Sequence, residues 1–330
     1  MSCINKIIPF NEFWMNCILN SAYSIATTKD NSYADAAYIN NYSYSSWEAA
    51  IDPEFISPTI EVLNYADKWE SFVLCEVIET EIPVFFEDTQ NFLVELQQII
   101  SEQKIVRLHV DLFYWLPKNI AWNRFHMSHY SIINGYDTEK REYFILDDDI
   151  DGYGTHVIPE ERLIKAFYNS NAMIDPDPAT PHAYVYCIRD SIVPYKISIT
   201  EVKSNAERIV EELSVYSFEN LWNFKEDKKD EINEYINISL IGINIIENRH
   251  IGNGFLSKRL VELELINSTT FENMKTQLAK LQRGWKTIKQ VFINSMVSDT
   301  KEINIDLIRS KANEMLSREK EMWLALLEEK

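Results

Sequence analysis

Two short apolar runs joined by a polar turn place the strongest constraint on the fold. SIINGY and EYFIL flank a turn within residues 136–142. β-Branched and aromatic residues in runs of this length favour strands, and a short connection makes consecutive strands pair antiparallel. His129 stands before the first strand and Asp147 ends the second. Because a hairpin brings its outer ends together, we predict that these two side chains lie close to each other.

The rest of the chain divides into two parts by its apolar pattern. The first part contains further short runs bounded by Pro, Asp, Asn or Gly, among them IPVFFE, KIVRLHVDLFYWL and HAYVYCI. After Ser198 the apolar residues recur at helical spacing, as in residues 274–292. We therefore predict an α+β domain with an antiparallel sheet over residues 1–198, and a domain of about five helices over residues 199–330. The GNG triplet at residues 252–254 is expected to separate two of those helices.

Composition excludes several classes of protein. Lys and Arg number 32 against 51 Asp and Glu, so the net charge of −19 would repel nucleic acid. No apolar run approaches the roughly 20 residues that cross a bilayer, and residues 1–13 lack the apolar core of a secretory signal. The four cysteines are far apart and show no CxxC spacing, which argues against a structural zinc site or a disulfide framework. We expect reduced thiols, a cytoplasmic protein and no membrane partner.

Cys17 stands at the predicted start of a helix. Asn16 is a good N-cap, and apolar residues follow at helical spacing as far as Ala26. The unpaired backbone N–H groups and the macrodipole of a first helical turn favour a thiolate at this position. The alternative is a small buried thiol with no chemical role, which is a common state of an intracellular cysteine.

A histidine held by a carboxylate could activate this cysteine. A hydrogen bond between His129 and Asp147 would fix the imidazole tautomer and leave the other ring nitrogen free to accept the thiol proton. A cysteine at a helix start, followed by a histidine and then an acid on adjacent strands, has the chain order of papain-like enzymes. The backbone N–H of Cys17 could be one oxyanion donor. Asn11 or Asn16 could supply the second, although either could equally be an ordinary capping or turn residue.

Two patterns in the same stretch would suggest a metal, but each is incomplete. His126 and His129 are three residues apart, a spacing that places ligands together on a helix but on opposite faces of a strand. DDDIDG has the residues of a calcium loop at positions 1, 3, 5 and 6, but position 12 is Ile158 instead of a bidentate glutamate. We therefore predict no metal site.

Short segments of the chain resemble a known family. NCILNSAYSI, VDLFYWLP, HYSIINGYD and FILDD look like parts of the N-terminal domain of the butirosin biosynthesis H (BtrH) family. GFLSKRLVELE and LQRGWKTIKQVF are similar to the helical half of that family, so the resemblance extends over most of the chain. It implies a papain-like core with a Cys-His-Asp triad at Cys17, His129 and Asp147. Asp148 is the nearest substitute if the register of the acid differs by one residue.

The resemblance also implies a reaction. Members of the family are acyltransferases that move an acyl group from a carrier-protein thioester to the amine of a small molecule during antibiotic biosynthesis. The expected donor is the phosphopantetheine thioester of an acyl or peptidyl carrier protein, with no bound cofactor. Asp111 matches an aspartate of the family, and we take Asp111 and Tyr114 as candidates for substrate binding. ILNSAY after the cysteine and YADAAYINNYSY after the first helix depart from the family pattern, which leaves the acyl group and the acceptor open.

Other functions fit the same residues. The triad could serve a cysteine peptidase, or a thioesterase or cyclase that releases a nonribosomal peptide or a polyketide. The chain could also be a catalytically silent binding module. Carrier proteins are acidic and dock best on basic surface, so the basic segment from Lys280 to Lys289 is the candidate docking face, unless it is only a solvated helix face.

Overall fold

The computed structural model describes residues 2–39, 42–44, 60, 63–65, 73–215, 232–297 and 303–328. They form helices and antiparallel strands with a helical C-terminal region, which confirms the α+β class. The chain divides into two compact units. The first contains residues 1–34 and 67–195, and the second contains residues 35–66 and 196–330. The later boundary lies close to the predicted one, but residues 35–66 belong to the second unit, whereas the sequence placed them in the first.

The strands form one large sheet and one small one. In chain order they are β1 (Ser2–Ile4), β2 (Tyr42–Ser43), β3 (Asn64–Tyr65), β4 (Ile78–Val84), β5 (Ile105–Asp111), β6 (Ser128–Asp137), β7 (Glu142–Asp149), β8 (Gly152–Pro159) and β9 (Ala183–Ile188). The large sheet has the order β4-β9-β5-β6-β7-β8, with β1 paired to the C-terminal part of β6, and every pairing is antiparallel. β2 and β3 pair separately, within the second unit.

The helices fall into two groups along the chain. The earlier ones are α1 (Cys17–Lys29), α2 (Tyr33–Ile39), α3 (Phe92–Ser101), α4 (Glu160–Tyr168) and α5 (Asn171–Ile174). The later ones are α6 (Ile199–Val215), α7 (Ile232–Glu262), α8 (Ser268–Val297) and α9 (Ile305–Leu327). Four helices therefore follow Ser198 in the part of the chain that the structure describes, where about five were predicted. None of the helices in the described ranges is both long enough and apolar enough to span a bilayer.

The hairpin predicted from the sequence is present as β6 and β7. Its register pairs Ile132 with Leu146 and Asp137 with Glu142. A second hairpin follows at once, because β7 pairs with β8 as far as Asp149 opposite Gly152. DDDIDG is thus a strand end and a tight turn, in which Gly152 adopts a φ of 112° that favours glycine. This geometry differs from a helix-flanked calcium loop. β8 itself was not predicted, because GYGTHVIP lacks a clear apolar alternation.

The core of the first unit surrounds β5, all seven residues of which are buried. Val106, Leu108 and Val110 belong to an apolar cluster that includes residues of α3 and α4. In that cluster the rings of Phe92 and Phe167 stack with centroids 4.1 Å apart. A strand buried along its whole length is a rigid support for the residues at its ends and on its neighbours.

The GNG triplet lies inside α7, so the predicted break between two helices is wrong. A glycine inside a helix costs about 1 kcal/mol relative to alanine, an amount that tertiary contacts readily outweigh. Asn253 makes such contacts, since it accepts a hydrogen bond from Arg249 Nε (3.0 Å) and donates one to Tyr42 Oη (3.1 Å). Tyr42 in turn donates to the carboxylate of Glu319, which is only 1% exposed. Helix α7 therefore continues through the triplet to supply a buried polar network.

Candidate active site

The thiol of Cys17 lies at the N-terminus of α1. Cys17 is the first helical residue, and the side chain of the N-cap Asn16 accepts a hydrogen bond from Leu19 N at 2.7 Å. Residues 19–26 of α1 are all buried, so the helix is enclosed by the unit instead of presenting the single apolar face that its sequence suggested. Cys17 itself is partly exposed. The thiol therefore lies at the positive end of a helix dipole and is accessible to a reactant.

The loop that leads to Cys17 is held by one buried side chain, that of Asn20. Its amide nitrogen donates to the carbonyl oxygens of Phe10 and Phe13, both at 3.1 Å, and its Oδ1 accepts from Met15 N at 2.8 Å. Ser24, one turn later, accepts from Phe10 N at 2.8 Å. Because Asn20 satisfies three backbone groups at once, it fixes the direction from which the chain enters the helix.

His129 and Asp147 meet as the hairpin predicted. His129 Nε2 lies 3.2 Å from Asp147 Oδ1, and the aspartate is 1% exposed. The other carboxylate oxygen, Oδ2, accepts a hydrogen bond from Trp115 Nε1 at 2.7 Å. The backbone N–H of Asp148 donates to Oδ1 at 2.9 Å. The carboxylate is therefore held on both oxygens, and it in turn orients the imidazole.

Cys17 completes this arrangement. Burial lowers the pKa of His129, but the Asp147 carboxylate and a hydrogen bond and charge interaction with Cys17 together raise it well above its usual range. Burial also raises the pKa of Asp147, but its interaction with His129 outweighs burial and lowers it. The imidazolium form of His129 is thus favoured between an anionic carboxylate and a thiol. A carboxylate that holds a histidine beside a thiol is an arrangement that can activate a cysteine as a nucleophile.

A second cation lies in the surroundings of the thiol. Arg107 is 5% exposed, and it forms an ion pair with Glu81 at 2.6 Å. Burial lowers the pKa of Arg107, but the nearby Tyr186, Glu81 and Cys17 raise it. Burial raises the pKa of Tyr153 well above its usual range, with smaller contributions from Asp147, Tyr186 and Cys17. The hydroxyl of Tyr153 lies 2.9 Å from Ser21 Oγ, one turn after the cysteine. These groups add a paired guanidinium and hydroxyl groups to the surroundings of Cys17.

Asp148 adds an ionisable group beside His129 and Asp147. Burial and the neighbouring Asp147 raise the pKa of Asp148 to about 6. An aspartate in an unfolded chain has a pKa of about 3.9. A carboxyl whose pKa is higher in the folded state makes folding less favourable as the pH rises from about 4 through about 6, because the folded state resists losing the proton.

Replacement of Asp148 by asparagine is therefore expected to stabilise the first unit above pH 6. The expected gain in the free energy of unfolding is about 1–3 kcal/mol at pH 7.5, falling to about zero at pH 4. Native-state hydrogen exchange of the amides in β7 at both pH values would measure it. An equal effect at the two pH values would contradict the assigned burial of this carboxyl.

The same residues bear on metal binding. His129, Asp147 and Asp148 each offer one ligand atom, and these atoms lie within 4.8 Å of one another. Asp147, however, already accepts from His129, from the Asp148 backbone and from the indole of Trp115. An indole N–H can only donate a hydrogen bond. The Asp147 carboxylate that accepts it is therefore better suited to orienting His129 than to binding a metal. His126 lies apart from this group, bound to Asp111 Oδ2 at 2.6 Å.

The remaining predicted residues have other surroundings. Asn11 is exposed in the loop before α1, and Asn16 uses its Oδ1 to cap the helix. Asp111 is 1% exposed, and its Oδ1 accepts from the backbone N–H groups of Phe113 and Met127. Tyr114 packs beneath Lys165, whose Nζ lies 4.3 Å from the ring centroid. The structure thus gives Asn16 and Asp111 structural contacts, and their roles in oxyanion or substrate binding stay predictions.

Three supporting residues were missed in the sequence. Asn20 and Arg107 were not singled out, and Trp115 was one of many aromatic residues. A polar residue in an otherwise apolar helical segment, and an arginine within the apolar run KIVRLHV, are signals that could have identified the first two. The bond between Trp115 and Asp147 joins residues 32 positions apart and had no local signal.

No protein family model matches the chain, and no curated protein matches it significantly. The functional conclusion therefore depends on the geometry of the site and on the resemblance of the short segments described above.

Proposed function

We propose that this protein is a cysteine acyltransferase with a papain-like core. It would move an acyl group from a carrier-protein thioester, through an acyl-Cys17 intermediate, to the amine of a small molecule in natural-product biosynthesis. The observation that supports it best is the convergence of a helix-start thiol, His129 and the buried Asp147. The carrier and the amine are inferred from the resemblance to the BtrH family.

The first step forms the acyl-enzyme. The Cys17 thiolate attacks the thioester carbonyl, and the carrier thiol leaves with a proton from the His129 imidazolium. The carbon–sulfur bond to the carrier breaks as the bond to Cys17 forms, so the acyl group moves without a net change of oxidation state. The backbone N–H of Cys17 is a candidate donor to the oxyanion.

The second step releases the product. An amine attacks the acyl-Cys17 carbonyl, neutral His129 takes one proton from the amine, and Cys17 leaves as a thiolate. The amide product and the starting ion pair of the enzyme result. Asp147 and Trp115 act as positioning residues, because Asp147 holds His129 and Trp115 holds Asp147, and neither touches the reacting atoms. No step needs a bound cofactor, and we place the reaction in the cytoplasm, where reduced thiols persist.

Intact-mass measurement after incubation with an acetylated acyl carrier protein, or with a short thioester mimic, tests the proposal. The wild type is expected to gain one acyl group, and Cys17→Ala is expected to gain none. Cys75→Ala is the matched control, since Cys75 is also a free, partly exposed thiol. It should be acylated like the wild type.

The fate of the adduct separates the alternatives. Loss of the adduct only when an amine is added supports transfer, whereas rapid loss to water would favour a thioesterase or peptidase. If the wild type and Cys17→Ala show the same mass and the same thioester turnover, acyl-enzyme chemistry at Cys17 is wrong and a binding module becomes the better account.

A further inference from the structure

A basic groove runs between α8 and α9 in the second unit. The groove encloses a volume of about 210 Å³. It is lined from α8 by Lys280, Arg283, Gly284 and Thr287, and from α9 by Lys311, Glu314, Met315 and Arg318. Gly284 leaves room for the side chain of Met315 on α9. A Cβ atom built at Gly284 would overlap that side chain, so a larger residue there would require Met315 to move.

The cations of this groove differ in how they are paired. Lys311 and Arg318 flank Glu314, with nitrogen–oxygen distances of 2.7 Å and 3.4 Å. Lys280 and Arg283 are exposed, and within the described ranges neither has an acidic partner at ion-pair distance. Four cations against one carboxylate leave the groove with an excess of positive charge.

This local charge contrasts with that of the whole chain. Helix α8 has five basic residues and one acidic residue, a net charge of +4, in a chain with a net charge of −19. Charges separated by more than a Debye length, about 8 Å at physiological salt, are largely screened from each other. A partner that contacts the groove therefore experiences its positive charge far more than the distant acidic surface.

We propose that the groove docks an acidic helix of the carrier protein that delivers the thioester, an inference that rests on the proposed function. Lys280 and Arg283 are about 4.5 Å apart along α8, and Lys311 and Arg318 are about 10 Å apart along α9. Four cations distributed over about 10 Å match the carboxylates on about two turns of a helix, and they cover a longer distance than a single phosphate group. Complementary charge of this kind chiefly raises the association rate and selects the partner.

Binding of an acidic acyl carrier protein, loaded with acetyl-phosphopantetheine, tests this docking directly. Cys17→Ala protein would be used, so that no acyl transfer occurs during titration. In low salt, the double variant Lys280→Glu with Arg283→Glu is expected to bind at least tenfold more weakly than the parent. Lys258→Glu is the matched control, because Lys258 is an exposed lysine of the same unit that does not line the groove. Equal binding by the parent and the double variant, or no binding by the parent, would overturn the docking proposal.

Turnover by the active protein separates failure of docking from failure of chemistry. The double variant should lose about tenfold or more in kcat/KM for the carrier-bound thioester but change less than twofold for a short thioester mimic. A fall with both substrates would indicate damage to the fold or to the reaction instead of lost docking. Absence of turnover in the wild type would remove the proposed function, while the binding titration would still decide whether the groove takes an acidic protein.

Discussion

Replacement of His129 by glutamine is expected to lower thioester turnover by about 10²–10⁴-fold, the range that a positioned general acid–base contributes. Glutamine keeps a polar side chain near Asp147 but can neither accept the proton of the incoming amine nor hold a positive charge beside Cys17. His129, whose side chain is 12% exposed, lies 3.2 Å from Asp147 and interacts with Cys17, so both functions are lost together. Steady-state kinetics with a short thioester mimic would measure the loss.

Alkylation of Cys17 by iodoacetamide gives an independent measurement of the same change. The raised pKa of His129 keeps the imidazolium at neutral pH. A positive charge next to a cysteine increases its reactivity as a nucleophile. His129→Gln should therefore slow alkylation at pH 6.5 by about tenfold or more, and the difference should shrink in alkaline solution, where hydroxide removes the thiol proton.

His126→Gln is the matched control, because His126 lies three residues earlier, is largely exposed and pairs with Asp111 instead of Asp147. Its kinetics and its alkylation rate should stay within twofold of the wild type. If the two variants behaved alike, His129 would have no special relation to Cys17, and the triad would be excluded.

Replacement of Asn20 by alanine is expected to have the second-largest effect. It removes one acceptor and two donors from the backbone groups of Phe10, Phe13 and Met15 in a site from which water is excluded. Loss of buried partners costs about 1–3 kcal/mol each, and partial relaxation of the loop reduces the total, so we expect a loss of about 2–4 kcal/mol in the free energy of unfolding. Urea unfolding followed by hydrogen exchange of the amides in α1 would measure it.

The kinetics of Asn20→Ala distinguish a loss of folding stability from a loss of the correct position of Cys17. Asn20 does not touch the reacting atoms, so its effect on catalysis should appear as a lower kcat in folded protein with little change in KM. Asn16→Ala is the comparison for stability, since it removes the hydrogen bond that caps α1 and should cost about 1 kcal/mol. An equal loss of stability in the two variants, or an unchanged kcat in folded Asn20→Ala, would show that Asn20 does not fix the approach to Cys17.

The sequence was most informative where structure is local. Turn chemistry and strand composition predicted the hairpin of β6 and β7, and hence the meeting of His129 and Asp147 across 18 residues. The capping preference of asparagine likewise located the start of α1 and the first-turn position of Cys17. Both inferences depend on short-range rules that tertiary context seldom overrides when several of them agree.

Contacts between distant segments could not be read in this way. The bond from Trp115 to Asp147 depends on how the end of β5 turns towards β7, and nothing in the sequence near Trp115 specifies it. The course of α7 through GNG was misjudged for a related reason. The sequence shows that glycine lowers helix stability locally, but it does not show the buried contacts of Asn253 with Arg249 and Tyr42.

The assignment of residues 35–66 to the second unit affects the order in which the protein can be completed during synthesis. Tyr42 and Tyr44 donate hydrogen bonds to Glu319, which follows them by 277 and 275 residues. At about 5–20 residues per second, the ribosome needs on the order of 15 to 55 s to make the chain between them. A nascent chain that has just passed residue 198 therefore has both tyrosines but not yet the carboxylate that satisfies them, so the second unit can close only when α9 emerges.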